Sequence, residues 1–179
     1  MIYMFIAQGF EEIEALCPLD LMRRAGLPVT TVGVGGDAIT GAHGICVRTD
    51  ITDAQFDGAD LDMVFLPGGM PGTLNLAASD TVIGAIRDAV ASERYIAAIC
   101  AAPSIIGDMG LLKGKQAVCY PGFEDRLTGA VIPDKKVVLD GKILTAKGMG
   151  AALDMGLEIV KIFCGERAAR ELRHAVIAD

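Results

Sequence analysis

Cys100 is the residue around which chemistry could be built. It stands in Ala97-Ala98-Ile99-Cys100-Ala101-Ala102-Pro103-Ser104, directly after an apolar run and before a helix-compatible stretch, with alanine two positions to either side. Small-x-nucleophile-x-small is the pattern of a nucleophile elbow, a strand-to-helix turn too tight for larger neighbours that exposes a strained central residue. The helix start would supply free N–H groups and about half a positive charge, favouring a thiolate and any oxyanion formed beside it. A thiol of pKa ~8.5 is only about 3% ionised at pH 7, and a lowering of two or three units would make it mostly thiolate. The same spacing also suits an inert cysteine in an alanine-rich packing contact.

Two other segments can contribute to such a site. Pro67-Gly68-Gly69 closes an apolar run and suits a loop whose backbone approaches a ligand, so that Gly69 N–H could join Ala101 N–H in holding an oxyanion. Its plainer reading is a glycine-rich turn. Glu11-Glu12-Ile13-Glu14 opens the first helix. Carboxylates in a first turn are ordinarily dipole-favoured surface groups, the reading that fits Glu11 and Glu12. Glu14 lies roughly 200° around the helix from Glu12, on the side of Cys17 and Pro18, and either points inward or is a third solvated acid.

These residues need a scaffold, and strand and helix signals alternate along the chain. Apolar runs at 2–6, 29–34, 63–66 and 95–99 read as buried strands, 45–48 and 116–120 as shorter ones. Helical spacing covers 11–24, 79–92, 102–109, 151–163 and 166–174, with Ser79 as a cap and Pro18 predicting a kink or break in the first. Asp140-Gly141 between 136–139 and 142–145 is a hairpin signal. Continuous apolar strands followed by amphipathic helices predict a single α/β domain over 1–179, a flavodoxin-like doubly wound sandwich with a mostly parallel sheet and helices on both faces. Ligands bind beyond the carboxyl ends of such strands, which marks loops 7–12, 67–73 and 100–103.

Composition narrows the function classes. Of 179 residues, 52% are hydrophobic and 22% charged, which excludes disorder as the dominant state. A net charge of −7, with both signs interspersed, argues against nucleic acid and anionic membranes as partners. No apolar run reaches the ~18–20 residues of a membrane span, and Met1 to Ala7 lacks the basic flank of a signal peptide, so a cytoplasmic address is expected. Five dispersed cysteines with no Cys-x-x-Cys pair exclude a disulfide framework, and two histidines, His43 and His174, are too few for a His-rich metal site. His43 could approach the site from the accessory segment. Cys17, Cys46, Cys119 and Cys164 read as packing residues, with Cys17 or Cys46 near any dimer contact.

Taken in order, Gly9-Phe10-Glu11-Glu12-Ile13-Glu14, Met22-Arg23-Arg24-Ala25-Gly26, Leu66-Pro67-Gly68-Gly69, Ala97-Ala98-Ile99-Cys100-Ala101-Ala102-Pro103 and Asp140-Gly141-Lys142-Ile143-Leu144-Thr145 resemble the ThiJ/PfpI superfamily, in the branch of DJ-one and bacterial YajL. The resemblance implies that Cys100 is the reactive centre and that Glu14 is a buried acid hydrogen-bonded to its sulfur. Two full charges ~3.3 Å apart repel by about 5 kcal/mol at an effective dielectric of 20, so such a pair should hold one proton, on Glu14 beside a Cys100 thiolate. It further implies a homodimer, and an anion-holding Arg24 near the site. Tyr120, in Cys119-Tyr120-Pro121-Gly122, stands where many members carry a histidine, and a neutral phenol cannot replace that base. The implied activity is cofactor-independent, metal-free removal of reactive dicarbonyls or their glycation adducts, of glyoxalase or deglycase type. The alternative is a redox-sensing protective protein or chaperone whose cysteine is oxidised to sulfinate. Peptidase chemistry lacks its histidine here, and a glutamine amidotransferase would need Gly-x-Cys-x-Gly.

Overall fold

In a computed structural model, which describes residues 1–178, the apolar runs form one seven-stranded sheet. The strands are β1 (Ile2–Ile6), β2 (Val29–Gly33), β5 (Ile51–Thr52), β6 (Met63–Leu66), β7 (Tyr95–Ile99), β8 (Val137–Asp140) and β9 (Ile143–Ala146). Their spatial order is β5-β2-β1-β6-β7-β9-β8, all parallel except the edge strand β8, which is antiparallel to β9. A separate ribbon pairs β3 (Ala38–Thr40) with β4 (Cys46–Arg48).

Alternation along the strands fills two cores. Ile2, Met4, Ile6, Phe65 and Ile99 face α1 (Glu12–Arg24) and α5 (Ala152–Cys164), while Tyr3, Phe5, Val64, Leu66 and Ala98 face α3 (Asp80–Ala91) and α4 (Pro103–Asp108). The short α2 (Gly72–Ala77) and the terminal α6 (Glu166–Ala175) complete the layers. Ser79 caps α3 by accepting from Val82 N–H, as its position predicts. No helix among the described residues is long and apolar enough to cross a membrane.

Three local expectations are corrected. Helix α1 runs unbroken through Pro18. An interior proline removes one backbone hydrogen bond, a loss of ~3 kcal/mol in isolation. Here Pro18 is buried against α5, where an added Cβ on Gly156 would stand 2.9 Å from Pro18 Cα, so packing holds the helix together. Residues 116–120 are not a strand, because β9 occupies the position beside β7. Gln116 makes one bridge to Val131, Val118 N–H donates to the buried Thr145 hydroxyl, and Tyr120 N–H donates to Cys100 O. Glu12 is buried, not a surface group.

Candidate active site

Strand order reverses direction at β1, which puts the loops leaving β1 and β6 at the switch point of the sheet. Those loops hold each other: Glu11 N–H donates to Gly68 O at 2.9 Å and Gly72 N–H to Gly9 O at 3.1 Å. Beside them, β7 ends in Cys100, whose φ of +65° places a non-glycine residue in the left-handed region. This is the elbow that the alanines at 98 and 102 predict. Its backbone is fixed from two sides, by Cys100 N–H donating to Ala146 O at 3.0 Å and by Tyr120 N–H donating to Cys100 O at 2.8 Å. Two bonds at one strained residue oppose its relaxation to an ordinary conformation.

Glu14 points inward. Its carboxyl group accepts from Gly68 N–H at 3.1 Å and from Met149 N–H, and hydrogen-bonds Cys100. Only glycine fits at 68, since an added Cβ would stand 2.5 Å from Glu14 Oε2 and 2.6 Å from Cys100 Cβ. Gly69 and Ala101 N–H groups also reach the sulfur. Gly68 therefore orients the acid, and Gly69 and Ala101 carry the donors.

Charge at this pair departs from the expected low-pKa thiolate. Burial first, and then the charge and hydrogen bond of Glu14, push the Cys100 thiol up to about 12, against the opposing pull of Gly69 and Ala101. Burial also pushes Glu14 up to about 7. The helix that should favour a thiolate, α4, has only six residues, so its negative pole lies ~9 Å away and offsets much of its positive one. Above neutrality the thiol keeps its proton and Glu14 faces it as the acceptor, because the charge of each disfavours ionisation of the other.

The remaining candidates fall on either side of this pair. Tyr120 is half-exposed and lies against Gly148, where an added Cβ would be 3.3 Å from its ring and 3.7 Å from Glu14 Oε1. Arg24 is not at the site. It lies ten residues beyond Glu14, about 15 Å along the helix, and pairs with Asp20 at 2.6 Å. His43 does approach, but its partner is Glu12: Nδ1 lies 2.8 Å from Oε2, and the backbone N–H groups of His43 and Ile45 donate to Oε1. That bond raises the His43 pKa, and the same bonds hold Glu12 low against its burial. Glu11, Glu12 and His43 place ligand-type atoms within 4.8 Å of one another. Glu12 is already committed there as a clasp on segment 41–45.

Met149, in a 3-10 turn at Met149–Ala151, is the site residue that side-chain reasoning missed. Its contribution is a backbone N–H, which side-chain chemistry does not reveal. The signal was positional. Gly148-Met149-Gly150 follows β9, and a hairpin reading hid the fact that β9 is also a parallel strand with a carboxyl end.

A parallel sheet with a cysteine elbow after a central strand and a buried acid against the sulfur defines a class of α/β proteins with a cysteine–carboxyl centre. The chain belongs to the DJ-1/PfpI family, whose model matches residues 1–162. Among relatives, Protein dj-1beta of Drosophila melanogaster is 33% identical over 175 residues, covering 96% of this chain and 94% of that one. Glutathione-independent glyoxalase DJR-1.2 of Caenorhabditis elegans is 29% identical over 90% of this chain and 87% of its own. The structure of oxidized DJ-1 from Toxoplasma gondii superimposes with a TM-score of 0.94 at 28% identity, covering 98% of this chain and 97% of that one.

Proposed function

We propose that the chain is a cofactor-independent enzyme that removes small α-dicarbonyls, or the early glycation adducts they form, through Cys100 and Glu14. The observation that carries this reading is a thiol proton facing the buried Glu14 carboxyl, at an elbow flanked by two N–H donors. As a carbonyl arrives, that proton passes from Sγ to Glu14 while the sulfur adds to the aldehyde carbon. The product is a hemithioacetal whose oxygen is held by Gly69 and Ala101 N–H groups. Glu14 returns the proton to that oxygen, takes the hydrogen of the former aldehyde carbon and delivers it to the neighbouring carbon, while the hydroxyl proton passes from the first oxygen to the second. The resulting thioester is hydrolysed by water to the 2-hydroxy acid and the free thiol. One carbon is oxidised and its neighbour reduced, so methylglyoxal plus water becomes lactate with no external oxidant. The glyoxalase name of the Caenorhabditis elegans relative supports the reading.

A redox-sensing role is the second reading, favoured by the oxidized state of the Toxoplasma gondii neighbour. Two equivalents of peroxide would convert Cys100 to sulfinate, with the same N–H groups and a protonated Glu14 facing its oxygens. One comparison separates the two. Wild type, Cys100→Ser and Glu14→Ala are assayed for methylglyoxal loss and lactate gain, then exposed to mild peroxide and mapped by mass spectrometry. Lactate formation that requires both residues supports the enzyme; sulfinate at Cys100 without turnover supports the sensor and refutes the enzyme.

We also propose a homodimer joined through the face on which Ile13 and Ile45 are 48% and 53% exposed beside His43. Sedimentation velocity should give a dimer that Ile13→Asp with Ile45→Asp dissociates, and a monomeric wild type at micromolar concentration would refute it.

A further inference from the structure

We propose that Lys136 and Lys147 form an anion-receiving rim beside Cys100, so that the preferred substrate is a dicarbonyl carrying a carboxylate or phosphate at the end away from its aldehyde. The chemistry rests on the dicarbonyl reading above; the charge selection rests on the pocket itself. Both lysines line a cavity of about 390 Å³ whose wall includes Tyr120, Gly148 and Met149. Tyr120 N–H donates to Cys100 O, Met149 N–H donates to Glu14, and a Cβ added at Gly148 would stand 3.7 Å from Glu14 Oε1. The volume suits a small ligand.

The lysines are placed at a cost to the sheet. Val137 pairs with Ala146, and the next pair of the β8–β9 ladder sets Lys147 opposite Lys136, with Lys147 N–H donating to Lys136 O at 2.9 Å. Like charges directly opposite one another weaken a strand pair. Neutralisation is incomplete: Lys147 Nζ lies 3.2 Å from Asp134, whose side chain is fully exposed, and Lys136 has no ion pair among the described residues. An anion in the cavity would supply the missing charge.

The surroundings give this rim direction. On the other side of Met149 a second depression is lined by Glu11, Glu12 and His43, where two carboxylates face one imidazole, so the lysine pair makes the Tyr120 cavity the more favourable one for an anion. The chain as a whole carries −7 and repels anions at long range, which leaves local attraction to the lysine pair. A substrate anion seated at the lysines would put its aldehyde end against the Tyr120–Met149 wall, whose backbone N–H groups bond Cys100 O and Glu14.

The test uses the full-length protein and two probes of similar size, iodoacetate and iodoacetamide, with alkylation of Cys100 followed by mass spectrometry. The iodoacetate-to-iodoacetamide rate ratio should fall about threefold in Lys136→Gln and in Lys147→Gln, and about tenfold in the double variant. Raising salt should lower the ratio in wild type and leave it nearly unchanged in the double variant. Lys142→Gln, which removes a lysine stacked on Tyr95 at the far end of the sheet, should leave the ratio as it is. Lys136→Gln should melt at or above wild type, since it relieves a like-charge pair. An equal ratio in wild type and double variant, or one indifferent to salt, overturns the proposal. Turnover keeps the two levels apart. If neither methylglyoxal nor the phosphate ester of hydroxypyruvaldehyde is consumed, the dicarbonyl reading fails while the alkylation ratio still decides the rim. If methylglyoxal is consumed and the lysine substitutions do not lower kcat/KM for the phosphate ester, the rim fails alone.

Discussion

Replacing Glu14 with glutamine should erase a specific pH dependence of stability. In the folded protein burial carries this carboxyl from 4.5 up to about 7. Between those values the unfolded chain has lost the proton and the folded chain keeps it, so unfolding releases a proton and rising pH favours the unfolded state. The contribution is fully present below about pH 4.5 and is lost as pH climbs through 7. Each pH unit across that window is worth about 1.36 kcal/mol, so the loss amounts to roughly 3 kcal/mol. Urea unfolding at matched protein concentration, at pH 4.5, 6 and 8, measures it by linear extrapolation. The Glu12–His43 pair, whose hydrogen bond lowers the Glu12 pKa and raises that of His43, is common to both proteins and cancels in the difference. In the Glu14→Gln variant the side-chain amide brings one acceptor oxygen to the two N–H donors of Gly68 and Met149, so a constant penalty should accompany the change. Wild-type and Glu14→Gln stabilities that run parallel across this pH range would show that Glu14 is not held protonated by burial, and its role as the proton acceptor for the thiol near neutrality would fall with it.

The same pair governs reactivity. Below pH 7 Glu14 takes up a proton and can no longer accept one from the thiol, so Cys100 alkylation by iodoacetamide should fall toward tenfold per unit as pH drops; a flat profile between pH 5 and 7 would contradict the assignment. Gly68→Ala forces a methyl to within 2.6 Å of both partners, which should cost about 1–3 kcal/mol, read as several degrees of Tm, and slow Cys100 alkylation at pH 8 at least tenfold. Arg24→Ala should leave Cys100 kinetics within twofold of wild type, since Arg24 is engaged with Asp20 about 15 Å away; a large loss of kcat/KM would restore the anion-holding role implied by the resemblance. Glu12→Ala removes the acceptor for His43 and Ile45 N–H and should lower stability by about 1–3 kcal/mol, with faster amide exchange confined to segment 41–45.

What this chain determines by sequence alone is whatever repeats with the period of a strand or helix, or depends on the size of near neighbours. Ile2, Met4 and Ile6 alternate with Tyr3 and Phe5 and so dictate a sheet buried on both faces. Ala98 and Ala102 around Cys100 dictate the tight elbow, and Asp140-Gly141 the turn between β8 and β9. Tertiary structure decided matters that depend on atoms distant in the chain. Met149 N–H and Gly68 N–H, on two different loops, meet at Glu14 on α1, and no side-chain pattern announces a backbone donor. Glu12 is drawn inside by N–H groups 31 and 33 residues away, overriding the preference of a first-turn acid for water. The charge state of Cys100 was the least legible, because proximity to a helix start is local, whereas desolvation and the field of Glu14 exist only once the chain has folded around the sulfur.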